Sequence, residues 1–187
     1  MKTTAAVLDI PAATLITARS TGSAGFKEHP APEGQRAFDL TTGALYPYLR
    51  GGAVRLCPSP VWSSAQFKRK GTDVIFSYGC NLALFVPAIK PVVNLNRTSR
   101  PADIAWFADA AQVNTFQAPA SAANPMFEEF YYIHSGEATV QFRHAQKANA
   151  TFADGHVDFE KPVLGSIDKR LPNQFIGQLR PEILMMP

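Results

Sequence analysis

The feature that most constrains this chain is an Asp-Gly pair inside a stretch of alternating apolar and polar residues. The stretch runs from Ala148 to Glu160 with the sequence ANATFADGHVDFE, and Asp154-Gly155 stands in its middle. A two-residue type I′ turn needs positive φ at both central positions, which Asp-Gly supplies more readily than most pairs. The sequence therefore predicts a β-hairpin with its tip at Asp154-Gly155.

A two-residue turn also predicts the register of this hairpin. It pairs Phe152 with Val157 and Ala150 with Phe159, so that one face of the hairpin is apolar and the other is polar. The predicted apolar face carries Ala148, Ala150, Phe152, Val157 and Phe159. A sheet with one dry face needs an apolar element to cover it. The sequence offers no long amphipathic helix for that purpose.

The rest of the chain predicts short strands and loops. Strands are expected at 5–10, 13–18, 73–78, 104–109 and 139–143, with a short helix at 39–49 and a loop at 114–125. The strand at 139–143 is expected to precede the hairpin in an antiparallel meander. The predicted fold class is therefore α+β, a small antiparallel β-sheet with short helices and many loops.

The length and composition favour one domain without long helices. The chain has 187 residues, of which 46% are hydrophobic, 18% are charged and 15 are proline. The most apolar of its long uncharged stretches, 74–89, is too short and too interrupted to span a bilayer. We predict a single domain over 1–187, with an N-terminal segment at 1–37, a head at 38–160 and a C-terminal segment at 161–187 that wraps the sheet.

The charge pattern does not indicate a nucleic-acid partner. The net charge is only +3, and the densest basic cluster is Lys68-Arg69-Lys70 next to Gly71. A surface for single-stranded nucleic acid combines basic residues with aromatic stacking platforms, and no such stripe accompanies this cluster. The cluster is predicted to be a solvated turn.

The residues around the hairpin form a local concentration of groups that could bind a metal or transfer protons: His144, Asp154, His156 and Asp158. Each also has an ordinary structural explanation, because Asp suits an Asp-Gly turn and polar residues suit the wet face of a strand. A hydrolase using His156 and Asp158 is disfavoured, since no nucleophile motif or oxyanion element accompanies them. The residue pattern therefore predicts no enzymatic activity.

Two cysteines, Cys57 and Cys80, leave two alternatives open. They form no C-x-x-C redox or zinc pattern. In an oxidising compartment they are a candidate disulfide, whereas otherwise they would be buried thiols that behave as small hydrophobes.

Several ordered segments together resemble a known family. His144 is followed by nine residues and then by Asp154-Gly155. Three upstream segments match further elements of the same pattern: Leu45-Tyr46-Pro47-Tyr48-Leu49 with Cys57-Pro58-Ser59, Ser77-Tyr78-Gly79-Cys80-Asn81, and Pro101-Ala102-Asp103 with Trp106-Phe107-Ala108-Asp109. The chain thus resembles the prepilin-type H-X9-DG domain proteins, which are similar to type II secretion pseudopilins and type IV pilins.

This resemblance implies a non-enzymatic structural subunit with a pilin-like globular head. Its partners would be other pseudopilin-like subunits and the secretion machinery, in the periplasm or at the cell surface of a bacterium. The family also implies an N-terminal prepilin site and a hydrophobic helix, which this sequence does not contain. Either the sequence starts after that helix or the protein has lost it. We expect the full-length form to be anchored in the inner membrane.

The resemblance also suggests roles for particular residues. Major pseudopilins carry a calcium site built from carboxylates and carbonyls, so calcium is the candidate cofactor, and Asp109, Asp154 and Asp158 are the acids to examine first. The spacing of the motif suggests that the His144 side chain hydrogen-bonds to the Asp154-Gly155 turn and locks it.

An alternative function is an extracytoplasmic module that binds a metal or a glycan. It rests on the polar face of the hairpin and on aromatic residues that could be exposed, namely Trp62, Trp106, Tyr131 and Tyr132. Packing of these rings in the core is the competing explanation, because large aromatic side chains are highly buried on average.

Overall fold

A computed structural model describes residues 32, 34–37, 56–58, 60–73, 77–84 and 98–184. Within these ranges the protein is mainly β, with small sheets and short helical turns. The strands are β1 Tyr78–Asn81, β2 Ala105–Asp109, β3 Ala111–Asn114, β4 Met126–Glu129, β5 Tyr132–Ile133, β6 Val140–Gln141, β7 Ala148–Phe152, β8 Val157–Glu160 and β9 Ile176–Gly177. The predicted strands at 5–10 and 13–18 and the helix at 39–49 lie outside the described residues.

The helical turns explain part of the high proline content. They are single 3₁₀ turns at Pro60–Ser63, Leu82–Leu84, Pro101–Asp103, Pro172–Gln174 and Pro181–Ile183. All but one begin with proline, whose fixed φ suits the first helical position and whose missing N–H is not needed there. Among the described residues, no helix has the length and apolar character to cross a membrane.

The main sheet has five strands in the order β5-β1-β2-β7-β8. Its strands pair antiparallel except for β1 and β5, which run parallel. Two further pairs, β3 with β4 and β6 with β9, form small antiparallel sheets. The strand predicted at 104–109 is confirmed as β2. Of the strand predicted at 73–78, residues 74–76 lie outside the described residues, and Tyr78 is the first residue of β1.

The predicted meander is wrong in its pairing. A strand does lie within 139–143, but this strand, β6, pairs with β9, and the neighbour of β7 is β2. A tight turn at Ala145 and Gln146, with φ of 52° and 60°, separates β6 from β7. His144 and Lys147 exchange backbone hydrogen bonds across it, as in a type I′ turn. The partner of β6 therefore comes from the C-terminal segment, far along the chain.

The predicted hairpin is present as β7 and β8, but its register is shifted by one residue. Thr151 pairs with Val157 and Asn149 with Phe159. Only Gly155 in the loop has positive φ, at 93°, and its N–H donates to Phe152 O. This is the three-residue loop in which a type I turn precedes a left-handed glycine. Asp154 thereby avoids the positive φ that a type I′ turn would impose on it.

The shift moves the apolar side chains of β8 to the other face of the sheet. Ala148, Ala150 and Phe152 are buried as predicted, but Val157 is 62% exposed and Phe159 is 57% exposed. The predicted burial of Val157 and Phe159 is therefore wrong. Both lie on β8, which stands at the edge of the main sheet.

The dry face of the main sheet is covered by other parts of the same chain. Ala148, Ala150 and Phe152 belong to one buried cluster whose further members are alanines of 105–110, residues of 130–142 and residues of the C-terminal segment. These members include Phe130, Ile133, Val140, Phe142, Leu179, Ile183 and Leu184. The cover that the sequence seemed to lack is thus supplied by short strands and by the last turn, without a long helix.

Gly79 shows why a small residue is needed in β1. A Cβ atom at this position would lie 2.7 Å from the backbone carbon of Tyr132 and 2.8 Å from the Ala110 side chain. The parallel pairing of β1 with β5 brings the backbone of Tyr132 this close. A side chain at residue 79 would therefore push β5 away from β1.

Candidate functional site

Residues from all four segments that carry the family resemblance lie close together at one end of the main sheet. Asp109 is the last residue of β2, and His144 lies in the turn before β7. Cys57 is held beside them because its N–H donates to Ser77 Oγ at 2.8 Å. Ser77 directly precedes β1, whose Tyr78 pairs with Asp109. Residues far apart in the sequence thus form one cluster.

The side chains of Cys57, Asp109 and His144 form the chemical centre of this cluster. His144 Nε2 lies 3.6 Å from Cys57 Sγ and 3.3 Å from Asp109 Oδ2. All three potential ligand atoms lie within 4.8 Å of one another. Cys57 and Asp109 are buried, whereas the His144 side chain is 30% exposed. The cluster is therefore reached from solvent on the histidine side.

Asp109 is held in a mostly apolar region with one cation beside it. Its Oδ2 accepts a hydrogen bond from the Asn149 N–H at 2.7 Å, and its Oδ1 lies 3.5 Å from Arg143 Nε. Burial raises the pKa of the Asp109 carboxyl, and the opposing effects of Arg143, the Asn149 N–H and His144 only reduce that rise. Asp109 Oδ1 has no hydrogen-bond partner. This oxygen therefore has an ion-pair contact with Arg143 but no hydrogen bond.

The buried Arg143 side chain fixes the wall of the cluster. Its Nη2 donates to Ser77 O at 2.8 Å and to Ala110 O at 3.1 Å. The guanidinium carbon lies 5.1 Å from the centre of the Trp62 ring, and Trp62 Nε1 donates to Cys57 O at 3.0 Å. These contacts hold the Cys57 backbone and the Asp109 carboxylate in fixed relative positions.

The arrangement does not match a cysteine-histidine-aspartate nucleophile. In such a triad the nucleophile contacts one ring nitrogen of the histidine and the carboxylate contacts the other. Here Cys57 Sγ and Asp109 Oδ2 both face Nε2 of His144. The ring therefore cannot pass a proton between them in the triad manner, whereas a cation placed between the three atoms would contact all of them.

The three acids proposed for calcium are not brought together. Asp154 lies at the tip of the hairpin, where Oδ1 contacts His156 Nδ1 at 2.6 Å. Asp158 is exposed, and its Oδ1 accepts the Phe159 N–H at 2.7 Å. Asp109 lies at the opposite end of the main sheet, next to Asn149. The predicted grouping is wrong because Asp154 lies at the far end of β7 from Asp109, and β7 itself lies between Asp158 on β8 and Asp109 on β2.

The suggested hydrogen bond from His144 to the Asp154-Gly155 turn is also absent. His144 contacts Asp109 and Cys57 at the open end of the hairpin, and Asp154 has its own histidine partner in His156. The nine residues between His144 and Asp154 comprise the turn at Ala145 and Gln146, Lys147, the five residues of β7 and Ala153, so the strand separates the two ends of the motif.

Cys57 and Cys80 are both free thiols, so the candidate disulfide is not present. Cys57 faces His144, while Cys80 Sγ donates to Tyr131 O at 3.4 Å. Burial raises the pKa of Cys80 to about 12. The alternative of two thiols without a bond between them is therefore the one observed.

The basic cluster at 68–70 is not a solvated turn. Lys68 Nζ lies 2.7 Å from Glu128 Oε2 and Lys70 Nζ lies 2.6 Å from Glu128 Oε1. Gln112 and Asn114 also donate to the Glu128 carboxylate, which is fully buried. Burial raises the pKa of Glu128, but these partners more than offset it, so the pKa is lowered overall. The lysines are counter-ions inside the protein, and that role was not apparent from the sequence.

The aromatic residues of the glycan alternative are partly buried against other rings. The contacts are Trp62 with Phe67, Trp106 with Phe107, and Tyr131 and Tyr132 with Phe130. Trp62 in addition supports the Cys57 cluster through its indole N–H. These rings therefore contribute to packing and to the cluster.

The sequence patterns point to Asp109, His144 and Cys57 as candidates for separate roles, and they give no signal for Arg143. The order of motifs was the available signal, because it contained three of the four residues, but nothing in it states which of them touch. Comparison of the chain with models of known families, with curated proteins and with solved structures finds no match.

Proposed function

We propose that this protein is a non-enzymatic structural subunit, the globular head of a pseudopilin-like protein in a type II secretion or type IV pilus-related system. The observation that carries the proposal is that those parts of the four resembling segments that the structure describes are neighbours in space, whereas 45–49 lies outside the described residues. The Cys57 segment, the Ser77–Asn81 segment, β2 with Asp109, and His144 before β7 all meet at one end of the main sheet. Motif segments that pack against one another in this way would belong to one structural unit, as the proposal requires.

Individual motif residues have roles consistent with such a unit. Gly79 permits the close approach of β5, as described above. Asn81 is buried, and its Nδ2 donates to Ala105 O at 2.9 Å and to Leu184 O at 3.3 Å. Asn81 therefore ties β1 both to the start of β2 and to the C-terminal turn. Such residues are needed for the shape of a subunit rather than for turnover of a substrate.

The proposed setting is extracytoplasmic, with the full-length form held in the inner membrane by an N-terminal helix. The inner face of the main sheet is already covered by this chain, so the helix would contact another surface. The edge strand β8 presents Val157 and Phe159 at 62% and 57% exposure. An edge strand with exposed apolar residues is suited to contacts with neighbouring subunits.

Photocrosslinking in the native bacterium tests this proposal. A photoreactive phenylalanine analogue would replace Phe159 in the chromosomal gene product, and the membrane fraction would be irradiated and analysed by mass spectrometry. We expect crosslinks to another pilin-type subunit or to a second copy of the chain. Deletion of the prepilin peptidase should also increase the mass of the mature product.

The matched control places the same analogue at Phe116, which is 72% exposed in the loop after β3. It should give few crosslinks, because this loop is not part of β8. A product that stays out of the membrane fraction, keeps its mass without the peptidase and gives no pilin-type crosslink from Phe159 would contradict the proposal.

A further inference from the structure

We propose that Cys57, Asp109 and His144 bind one zinc ion, with a fourth coordination position open to water or to a small ligand. The three side chains supply a thiolate sulfur, a carboxylate oxygen and an imidazole nitrogen, and these atoms lie within 4.8 Å of one another. Zinc sites with three protein ligands and one exchangeable position are a recurring arrangement. This inference is independent of whether the protein assembles as a pilin-like subunit.

The two spacings that involve His144 fit tetrahedral zinc. Zinc bonds are about 2.3 Å to sulfur and about 2.0–2.1 Å to nitrogen or oxygen, so tetrahedral ligands lie about 3.6 Å apart for sulfur and nitrogen and about 3.3 Å apart for nitrogen and oxygen. Cys57 Sγ and His144 Nε2 are 3.6 Å apart, and His144 Nε2 and Asp109 Oδ2 are 3.3 Å apart. His144 is therefore at tetrahedral spacing from both other ligands, and the Cys57 and Asp109 ligand atoms lie within 4.8 Å of each other.

The ligand types distinguish zinc from the calcium suggested by the family resemblance. Calcium takes six to eight oxygen ligands, and this cluster offers one carboxylate. Thiolate and imidazole are ligands that zinc binds well. His144 is the ligand at the solvent side, with 30% of its side chain exposed, whereas Cys57 and Asp109 are buried. The exchangeable position should therefore lie beside His144.

The surroundings of the cluster hold the ligands from behind, as in zinc sites whose outer partners fix ligand orientation. The Asn149 N–H donates a hydrogen bond to Asp109 Oδ2, and the second lone pair of this oxygen remains available to a metal. Ser77 Oγ and Trp62 Nε1 fix the backbone of Cys57 on both sides. Asp109 Oδ1 faces Arg143 Nε at 3.5 Å, which leaves Oδ2 as the carboxylate oxygen that would contact the metal.

Binding of cobalt and zinc to the purified full chain tests the proposal. The metal-free protein would be titrated with Co²⁺ under reducing conditions, and zinc would then be added to displace it. We expect one Co²⁺ per chain, visible bands of tetrahedral cobalt and a near-ultraviolet thiolate-to-cobalt charge-transfer band. Zinc should bleach these bands at one equivalent and raise the melting temperature, because it binds the folded state.

Two variants assign the ligands. Cys57→Ser should remove the charge-transfer band, and His144→Gln, on the exposed side, should weaken zinc binding at least tenfold. Cys80→Ser is the matched cysteine control and His156→Gln the matched histidine control, and both should bind as the unchanged chain does. Circular dichroism would show that each variant is folded.

The spectrum of the unchanged chain keeps the proposal falsifiable even if a variant does not fold. An octahedral cobalt spectrum without a thiolate band, or no binding at one equivalent, would overturn it. So would a zinc affinity that Cys57→Ser and His144→Gln leave unchanged, or that the two control variants reduce equally.

Discussion

Replacing Glu128 with glutamine should destabilise the protein strongly, because the carboxylate neutralises two lysines in the interior. Glu128 is fully buried, and the side chains of Lys68 and Lys70 are 3% and 11% exposed. Four donors converge on this carboxylate, from Lys68, Lys70, Gln112 and Asn114. In Glu128→Gln the two ammonium groups would lose the carboxylate that each contacts in the interior.

Breaking a buried ion pair in this way costs about 3–5 kcal/mol. With a urea dependence of about 2 kcal/mol per molar, the midpoint of urea unfolding should fall by roughly 2 M. Urea titrations at pH 7, followed by circular dichroism, measure this shift. The matched control is Glu160→Gln, which removes an ion pair with the half-exposed Arg180. Because solvent screens that pair, the control should lose less than about 1 kcal/mol.

The pH dependence gives a second readout of the same interaction. The pKa of Glu128 is lowered in the folded state, so its contribution is present above the unfolded value of about 4.3 and is lost as the pH falls towards the folded value. The unchanged chain should therefore lose stability more steeply below about pH 5 than Glu128→Gln does. Equal midpoints for Glu128→Gln and Glu160→Gln, together with equal acid slopes, would refute the reasoning.

Further substitutions test the hairpin register, the packing of β1 and the burial of a thiol. Phe152→Ala should lower the free energy of unfolding by about 3–5 kcal/mol and Phe159→Ala by less than about 1 kcal/mol, because the residues are 2% and 57% exposed. Similar losses in urea unfolding would instead favour the register of the two-residue turn, in which both side chains are buried. Gly79→Ala should cost about 1–3 kcal/mol through its contact with β5, whereas Gly155→Asn, in open space at positive φ, should cost less than about 1 kcal/mol. Burial raises the pKa of Cys80 to about 12, so this thiol should react slowly with iodoacetamide at pH 8 in the native chain. Rapid labelling of the native chain, detected by mass spectrometry, would contradict the raised pKa.

Local patterns predicted the strands of this protein better than they predicted which strands pair. The alternation in 148–160 correctly indicated β7 and β8, and the burial of Ala150 and Phe152 followed from it. The register failed because Asp154 can keep negative φ when Gly155 alone takes the left-handed conformation. Both loops suit Asp-Gly, so the dipeptide does not distinguish them.

Pairings between distant segments could not be read from the sequence. Besides β8, β7 pairs with β2, and β6 pairs with β9. Both pairings join segments that are far apart in the sequence. The same applies to the candidate site: the motif segments named Cys57, Asp109 and His144, but their contact depends on the pairings of β1, β2 and β7. Lys68 and Glu128 illustrate the converse, because residues typical of a surface are buried once each supplies the other's counter-charge.

Among the buried ionic groups that the structure describes, Glu128 and Asp109 differ in how fully their carboxylates are hydrogen-bonded. The Glu128 carboxylate receives donors on both oxygens, and its pKa is lowered, so its network is complete within the chain. Around Asp109, by contrast, Oδ1 of the carboxylate and Nε of Arg143 lie 3.5 Å apart without a hydrogen bond, Nη1 of Arg143 also has no hydrogen-bond partner, and burial raises the pKa of the carboxyl. A complete network stabilises a fold, whereas an incomplete one lowers its stability unless something else binds there. Proteins accept such local costs mainly at functional sites. The incomplete network is also the one that contacts Cys57 and His144, and this coincidence is the reason to seek the function of the protein at Asp109 rather than at Glu128.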